Sequence, residues 1–145
     1  MLISRRTLLG AMAAGIATPS AALGPETPLM TVQFSFAEHV FTATLSDNPT
    51  ARDFAAMLPL ELKISDYANN EKIAYLPRKL TQAGSGRFAN EAPGDLAYYA
   101  PWGNLVFYYA PYHYSPGLIR LGRLTTGIKP LMTRGEFPLL ARLPG

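Results

Sequence analysis

The stretch Gly94–Tyr109, GDLAYYAPWGNLVFYY, decides how the rest of the chain is read. It divides into two short apolar runs, Asp95–Tyr99 and Asn104–Tyr109, joined by Ala100-Pro101-Trp102-Gly103. A strand turns successive side chains to opposite faces. In the second run Leu105, Phe107 and Tyr109 therefore point one way, and Val106 and Tyr108 the other. Both faces are apolar, so the strand needs cover on both sides and belongs inside a small β domain.

Outward from this hairpin the alternation repeats. Val32, Phe34 and Phe36 share one face of Thr31–Ala37, and Phe41, Ala43 and Leu45 one face of Val40–Leu45. A tight turn at Glu38-His39 joins them into a hairpin with one wet face. Asn48 then caps a helix that Pro49 opens, because proline's missing N–H has no helical partner at that position. Ala51, Phe54, Ala55 and Leu58 form one stripe, so the helix is expected over Pro49–Leu58, stopped by Pro59. Burying Phe54 against the sheet contributes about 2 kcal/mol. Leu60–Ser65 and Lys72–Leu76 are further strands, followed by a Gly/Ser-rich loop from Thr81 to Pro93. Gly117–Thr125 is a strand that Gly122 interrupts as a bulge would. Gly127–Met132 is one helical turn. Phe137–Leu143 is the last strand, its Pro138 pointing to an edge. The expected fold is mainly β, about eight short strands in a small closed barrel or sandwich with one clear helix.

Composition narrows the function. The 145 residues suffice for one domain. With 48% hydrophobic and 16% charged residues the chain can build a core. There is no cysteine, which removes disulfides, thiolate metal sites and cysteine catalysis. Ser4-Arg5-Arg6-Thr7-Leu8-Leu9 followed by the small and apolar residues Gly10–Ile16 reads as an export signal, twin-arginine-like or an ordinary Sec signal with two adjacent arginines. Cleavage is expected after Ala22, leaving a tether over 23–29 and a domain over 30–145. Without Arg5 and Arg6, the 13 Lys and Arg fall to 11 against 10 acidic residues. Nucleic-acid binding, which needs a clustered basic face, is not expected. The mature protein is expected to be periplasmic, without a membrane anchor or cofactor.

Several motifs, in one order from Thr31 onward, resemble a known family. They include Asp47-Asn48-Pro49-Thr50-Ala51, Met57-Leu58-Pro59-Leu60, Asp66-Tyr67, Glu71-Lys72-Ile73 and Leu76-Pro77. They continue through Gly94-Asp95-Leu96-Ala97-Tyr98-Tyr99, Pro101-Trp102-Gly103-Asn104 and Gly117-Leu118-Ile119-Arg120-Leu121-Gly122. Together they resemble the cyclophilin-like fold proteins of bacteria and archaea. The resemblance implies a closed eight-stranded barrel with helical caps. Cyclophilins themselves isomerise X–Pro bonds with an arginine inside a Phe-His-Arg-Ile-Ile-Pro strand. The nearest pattern here is Lys72-Ile73-Ala74-Tyr75-Leu76-Pro77, which puts Ala74 at the arginine's place, so no catalytic residue carries over. Pro101–Phe107 loosely resembles the cyclophilin strand that bears a pocket glutamine and phenylalanine, with the glutamine absent.

The residues themselves offer one candidate groove. Trp102, with Tyr99, Tyr112 and Tyr114, can form a shallow aromatic surface near Asn104 for a peptide or small apolar ligand; Trp102 can equally plug the barrel end. Arg78, beside Tyr75, can hold a carboxylate or a peptide carbonyl, or lie on Tyr75 as a solvated rim residue. His113, between two tyrosines in a loop, can join this groove or be a packed loop side chain. Neither His39 nor His113 has a partner at metal-ligand spacing, so no metal is expected. Asp47, Asp66 and Asp95 read as turn caps. The expectation is an exported binding module for a peptide or a periplasmic protein, without robust catalysis. The alternative is a divergent peptidyl-prolyl isomerase using Arg78.

Overall fold

The computed structural model describes residues 27–145. The expected export segment, residues 1–22, and most of the tether lie outside them. The first strand, β1, runs Pro28–Phe36, so Pro28 and Leu29 belong to the barrel and not to a tether. There follow β2 (His39–Ser46), α1 (Pro49–Ala55), β3 (Leu60–Tyr67) and β4 (Glu71–Tyr75). Then come β5 (Asp95–Tyr99), β6 (Asn104–Tyr108), β7 (Leu118–Leu124), a 3-10 turn at Lys129–Met132 and β8 (Phe137–Arg142). The strands close into one antiparallel barrel in the order β1-β2-β7-β5-β6-β4-β3-β8.

Closure follows from the alternation. Phe34 pairs with Phe41 across β1 and β2, and both turn inward. Phe107 reaches them from β6: its ring meets Phe34 edge-on at 5.1 Å, while Phe34 and Phe41 stack at 5.3 Å. All three are at most 1% exposed, and they form the centre of a single core with Phe54, Leu45, Leu96, Tyr98 and Leu121. Lys72 stands opposite Phe107 and is fully buried, its Nζ 2.7 Å from Asp66 Oδ1.

Three local details differ from the sequence expectation, and the bulge expected at Gly122 is present. The β1–β2 turn is Ala37-Glu38, with His39 already paired to Phe36, and Ala37 carries φ +51°. The helix ends at Ala55, not Leu58. Asn48 caps it as expected, its Oδ1 accepting from Ala51 N at 2.8 Å. After Ala55, however, the Met57 and Leu58 N–H groups donate to the carbonyls of Phe54 and Ala55 three residues back, so the last turn tightens before Pro59. At β7 the register with β5 slips so that Leu96 faces Gly122 and Ala97 faces Arg120; Leu121 is the extra residue. A Cβ on Gly122 would lie 2.1 Å from the Thr44 carbonyl oxygen, which explains glycine beside the bulge. Pro138 does not mark a sheet edge, since the barrel is closed. It pairs with Lys63 of β3, and contact between β8 and β1 begins only at Leu140.

Candidate functional site

The outer face of β3-β4-β6-β5 is built in rows, because residues directly opposite each other share a face. One row is Tyr67, Glu71 and Tyr108; another is Ile73, Val106 and Ala97; a third is Tyr75, Asn104 and Tyr99. Over these rows lies a pocket of about 200 Å³. Its floor is Asn104, Val106 and Tyr108 of β6. Tyr67 and Glu71 form one wall, Tyr99 and Trp102 another, and Ser115 and Leu118 close the far side. Trp102 stands edge-on to both Tyr67 (5.2 Å) and Tyr99 (5.5 Å). The Trp102 and Tyr67 side chains are 46% and 44% exposed, so they form a rim and not a core.

A second apolar cluster supports the floor from outside the barrel: Ala97, Val106, Tyr108, Tyr112 and Leu118. Tyr112 stacks on Tyr108 with centroids 3.5 Å apart and rings nearly parallel. Its hydroxyl donates to Asp95 Oδ2 at 2.6 Å. Asp95 is fully buried and also faces Arg120 and Arg123, each at 3.3 Å. Buried charge is tolerable only when paired and hydrogen-bonded in this way. Burial, and then the Asp95 hydrogen bond, raise the Tyr112 phenol well above its ordinary value, so Tyr112 stays protonated and donating.

Glu71 is the chemically distinctive residue. It is half-buried among aromatic rings, and burial alone pushes its carboxyl up to about 7. A carboxylate poised there, in a concave site, marks a candidate functional group. Among the described residues no cation is ion-paired with it, and no three or more His, Cys, Asp or Glu side chains gather to hold a metal.

Of the residues expected from sequence, Tyr99, Trp102 and Asn104 line this pocket. Trp102 does not plug the barrel. Tyr75 lies beside it on the same face, paired with Asn104 and exposed. Tyr112 acts below the floor. Tyr114 packs on Phe88 at 5.1 Å under the Arg87 guanidinium, and His113 is exposed; these two side chains lie toward the segment before β5 and do not line the pocket, although Ser115 of the same loop does. Arg78 is elsewhere. Its guanidinium grips Asp53 of α1 with both nitrogens, at 2.8 and 3.1 Å, and also donates to the Lys79 carbonyl. Asp53 accepts the Thr81 N–H as well, and these hydrogen bonds, Arg78 first, hold its carboxyl below the usual range. Arg78 thus ties the long loop to the helix. Ala74, at the position matched to the cyclophilin arginine, is fully buried in the core.

Sequence reading missed Tyr67, Glu71 and Tyr108. The signal was present, since alternation along β6 already separated Tyr108 from Phe107. What was lacking was the register that sets Glu71 and Tyr67 beside it.

The fold and the family agree with the motifs quoted above. Among solved structures the chain resembles the solution structure of a hypothetical protein from Archaeoglobus fulgidus, with a TM-score of 0.57 and 16% identity. That likeness covers 84% of this chain and 100% of the other, and at this identity it shows the fold alone. No curated protein matches. The Cyclophilin-like family matches residues 34–139, from the centre of β1 into β8. The chain is a member of the Cyclophilin-like family.

Proposed function

We propose that this protein is an exported binding module whose outer-face pocket takes a peptide or a small ligand, without robust catalysis. The observation that carries the reading is the rim of Tyr67, Tyr99 and Trp102 over a floor of Asn104, Val106 and Tyr108, left half-exposed on an otherwise well-covered strand pair. Aromatic side chains with one face exposed and their backs supported are suited to binding. The arginine pair and apolar run near the N-terminus support export. Arg5→Lys with Arg6→Lys is expected to block it if the route is the twin-arginine one; undiminished export of that variant would remove the twin-arginine route and assign the segment to an ordinary Sec signal.

The isomerase alternative has less support. It needs a cation beside the substrate's prolyl nitrogen, and Arg78 is engaged by Asp53. A protease-coupled prolyl isomerisation assay is expected to show only the uncatalysed rate. A faster rate that falls in Arg78→Ala would reverse the preference.

The binding reading is tested by screening a peptide and small-molecule library against the full chain, by thermal shift and by fluorescence of Trp102, the chain's single tryptophan. A ligand that raises the melting temperature in the wild type and not in Trp102→Ala supports it. Ligands whose effect is unchanged by Trp102→Ala would move the site elsewhere.

A further inference from the structure

The pocket's chemistry selects among ligands. Of the residues that line it only one is charged, and that charge is negative: Glu71. The walls are aromatic, and the faces of Trp and Tyr rings attract cations through their quadrupoles. Trp102 stands roughly perpendicular to both Tyr67 and Tyr99, with interplanar angles of 82° and 77°. The rings therefore form corners rather than a flat stack, a shape that surrounds a compact group better than a planar one.

A second observation concerns hydrogen bonding. Asn104 lines the pocket and is 1% exposed. Its Nδ2 donates to the Leu105 carbonyl at 3.0 Å, which fixes the orientation of the amide. Its Oδ1 is buried and has no partner. Buried acceptors are rarely left unmet, and one left so beside a pocket calls for a donor from outside. Glu71 likewise accepts no hydrogen bond among the described residues. The pocket thus holds a carboxylate and an unmet acceptor within aromatic walls.

We propose that this pocket binds a primary alkylammonium group, as at the end of a lysine side chain, with the aromatic faces around it, Glu71 as counter-charge and Asn104 Oδ1 as acceptor. This rests on reading the outer face as a binding pocket. A primary ammonium brings three N–H donors, whereas a quaternary one brings none. An anion would meet Glu71 with no compensating cation in the lining.

The groups that face Glu71 are Tyr67 from β3, Tyr108 from β6, and Tyr99 and Trp102 across the pocket. None of them is a cation, and the phenol of Tyr108 is itself pushed up by burial, so Glu71 is the group that titrates near neutrality. Affinity for an ammonium should therefore follow its ionisation.

The test uses the full chain and Trp102 fluorescence, with N-acetyl-lysine N-methylamide, its norleucine counterpart lacking the ammonium, and n-butylamine. The lysine compound is expected to bind at least about tenfold more tightly than the norleucine compound at pH 8. Between pH 8 and pH 6 it should lose about tenfold in affinity, since Glu71 takes up its proton near 7 while the norleucine compound stays flat. Glu71→Gln should erase both differences and keep the far-UV circular dichroism of the wild type. Butylamine matching the lysine derivative identifies a free amine as sufficient; a tighter lysine derivative identifies a peptide side chain. Equal or tighter binding of the norleucine compound, or discrimination that survives Glu71→Gln, overturns the proposal. So does silence toward all three. If silence is accompanied by a Trp102-dependent neutral or anionic ligand from the library, the pocket stands and only its cation preference falls. If the library also fails, both fall.

Discussion

The two faces of β6 carry similar residues and do different work. Inward, Leu105 and Phe107 are fully buried, and Phe107 sits edge-on to Phe34 and Phe41. Outward, Val106 and Tyr108 are also covered, but by a thin layer: the Tyr112 ring on one side and the pocket on the other. Inside, packing leaves no role for a partner. Outside, half-exposed rings and a carboxylate remain. The inner face is filled from end to end by the core, whereas the outer face of the same strands is only partly covered.

That contrast predicts where stability resides. The largest effect is expected inside. Phe34→Ala removes the ring that touches Phe41, Phe54 and Phe107, and a cavity at such a centre costs about 3–5 kcal/mol. Urea denaturation measures it. A loss near 1 kcal/mol would mean the interior is looser than these contacts imply, and the distinction between the faces would blur.

Next comes the layer that supports the outer floor. Asp95→Asn takes the carboxylate from Arg120 and Arg123 while leaving both guanidinium groups in place. Breaking a buried pair from one side is expected to cost about 3 kcal/mol. The same substitution should loosen Tyr112 and hence Tyr108, so near-ultraviolet circular dichroism from tyrosine should change with it. Loss of stability without that spectral change would detach the ion cluster from the pocket floor.

Glu71 sharpens the comparison through pH. Burial raises its folded-state value from 4.5 to about 7. Between those limits the folded protein holds the proton and the unfolded chain has released it. Stability from this group is therefore greatest below about pH 4.5 and declines as pH rises toward 7, then stays level. Because the site is open to solvent on one side, the decline is about 1–2 kcal/mol rather than the full shift. Glu71→Gln should flatten the slope between pH 5 and pH 8 and be the more stable protein at pH 8. An unchanged slope would assign the pH dependence to another group.

The difference between faces also explains what could be read in advance. Inward positions announce themselves: Val32, Phe34 and Phe36, then Phe41, Ala43 and Leu45, alternate because the core demands it, and the barrel follows. Asn48-Pro49 and Gly122 were legible for the same reason, since a cap and a close backbone approach each admit few residues. The outer site was legible only in part. Tyr99, Trp102 and Asn104 lie close together in sequence and were found together. Tyr67 and Glu71 come from another hairpin, and only the register that pairs Glu71 with Tyr108 unites them. Arg78 was not assignable in advance, because an arginine after a strand looks available and nothing local foretells that Asp53, 25 positions earlier, will hold it.

The smallest expected effect is also the most discriminating. Trp102→Ala removes the largest side chain in the molecule, and were it core the cost would reach about 3–5 kcal/mol. Trp102, however, is 46% exposed, and its ring contacts are the two edge-on tyrosines of the rim, each of which is worth about 0.5–1.5 kcal/mol at best and less where solvent reaches the pair. The backbone of the turn is held independently: the Trp102 and Gly103 N–H groups both donate to the Tyr99 carbonyl, and the Leu76 N–H donates to that of Gly103. The turn should survive the substitution, so the loss of stability should stay near 1 kcal/mol by urea denaturation while ligand-dependent thermal shifts disappear. A small loss of stability with loss of the ligand response would fit the binding role proposed for the rim. A loss as large as that of Phe34→Ala would instead make the outer face a second core, and the contrast between the two sides of β6 would vanish.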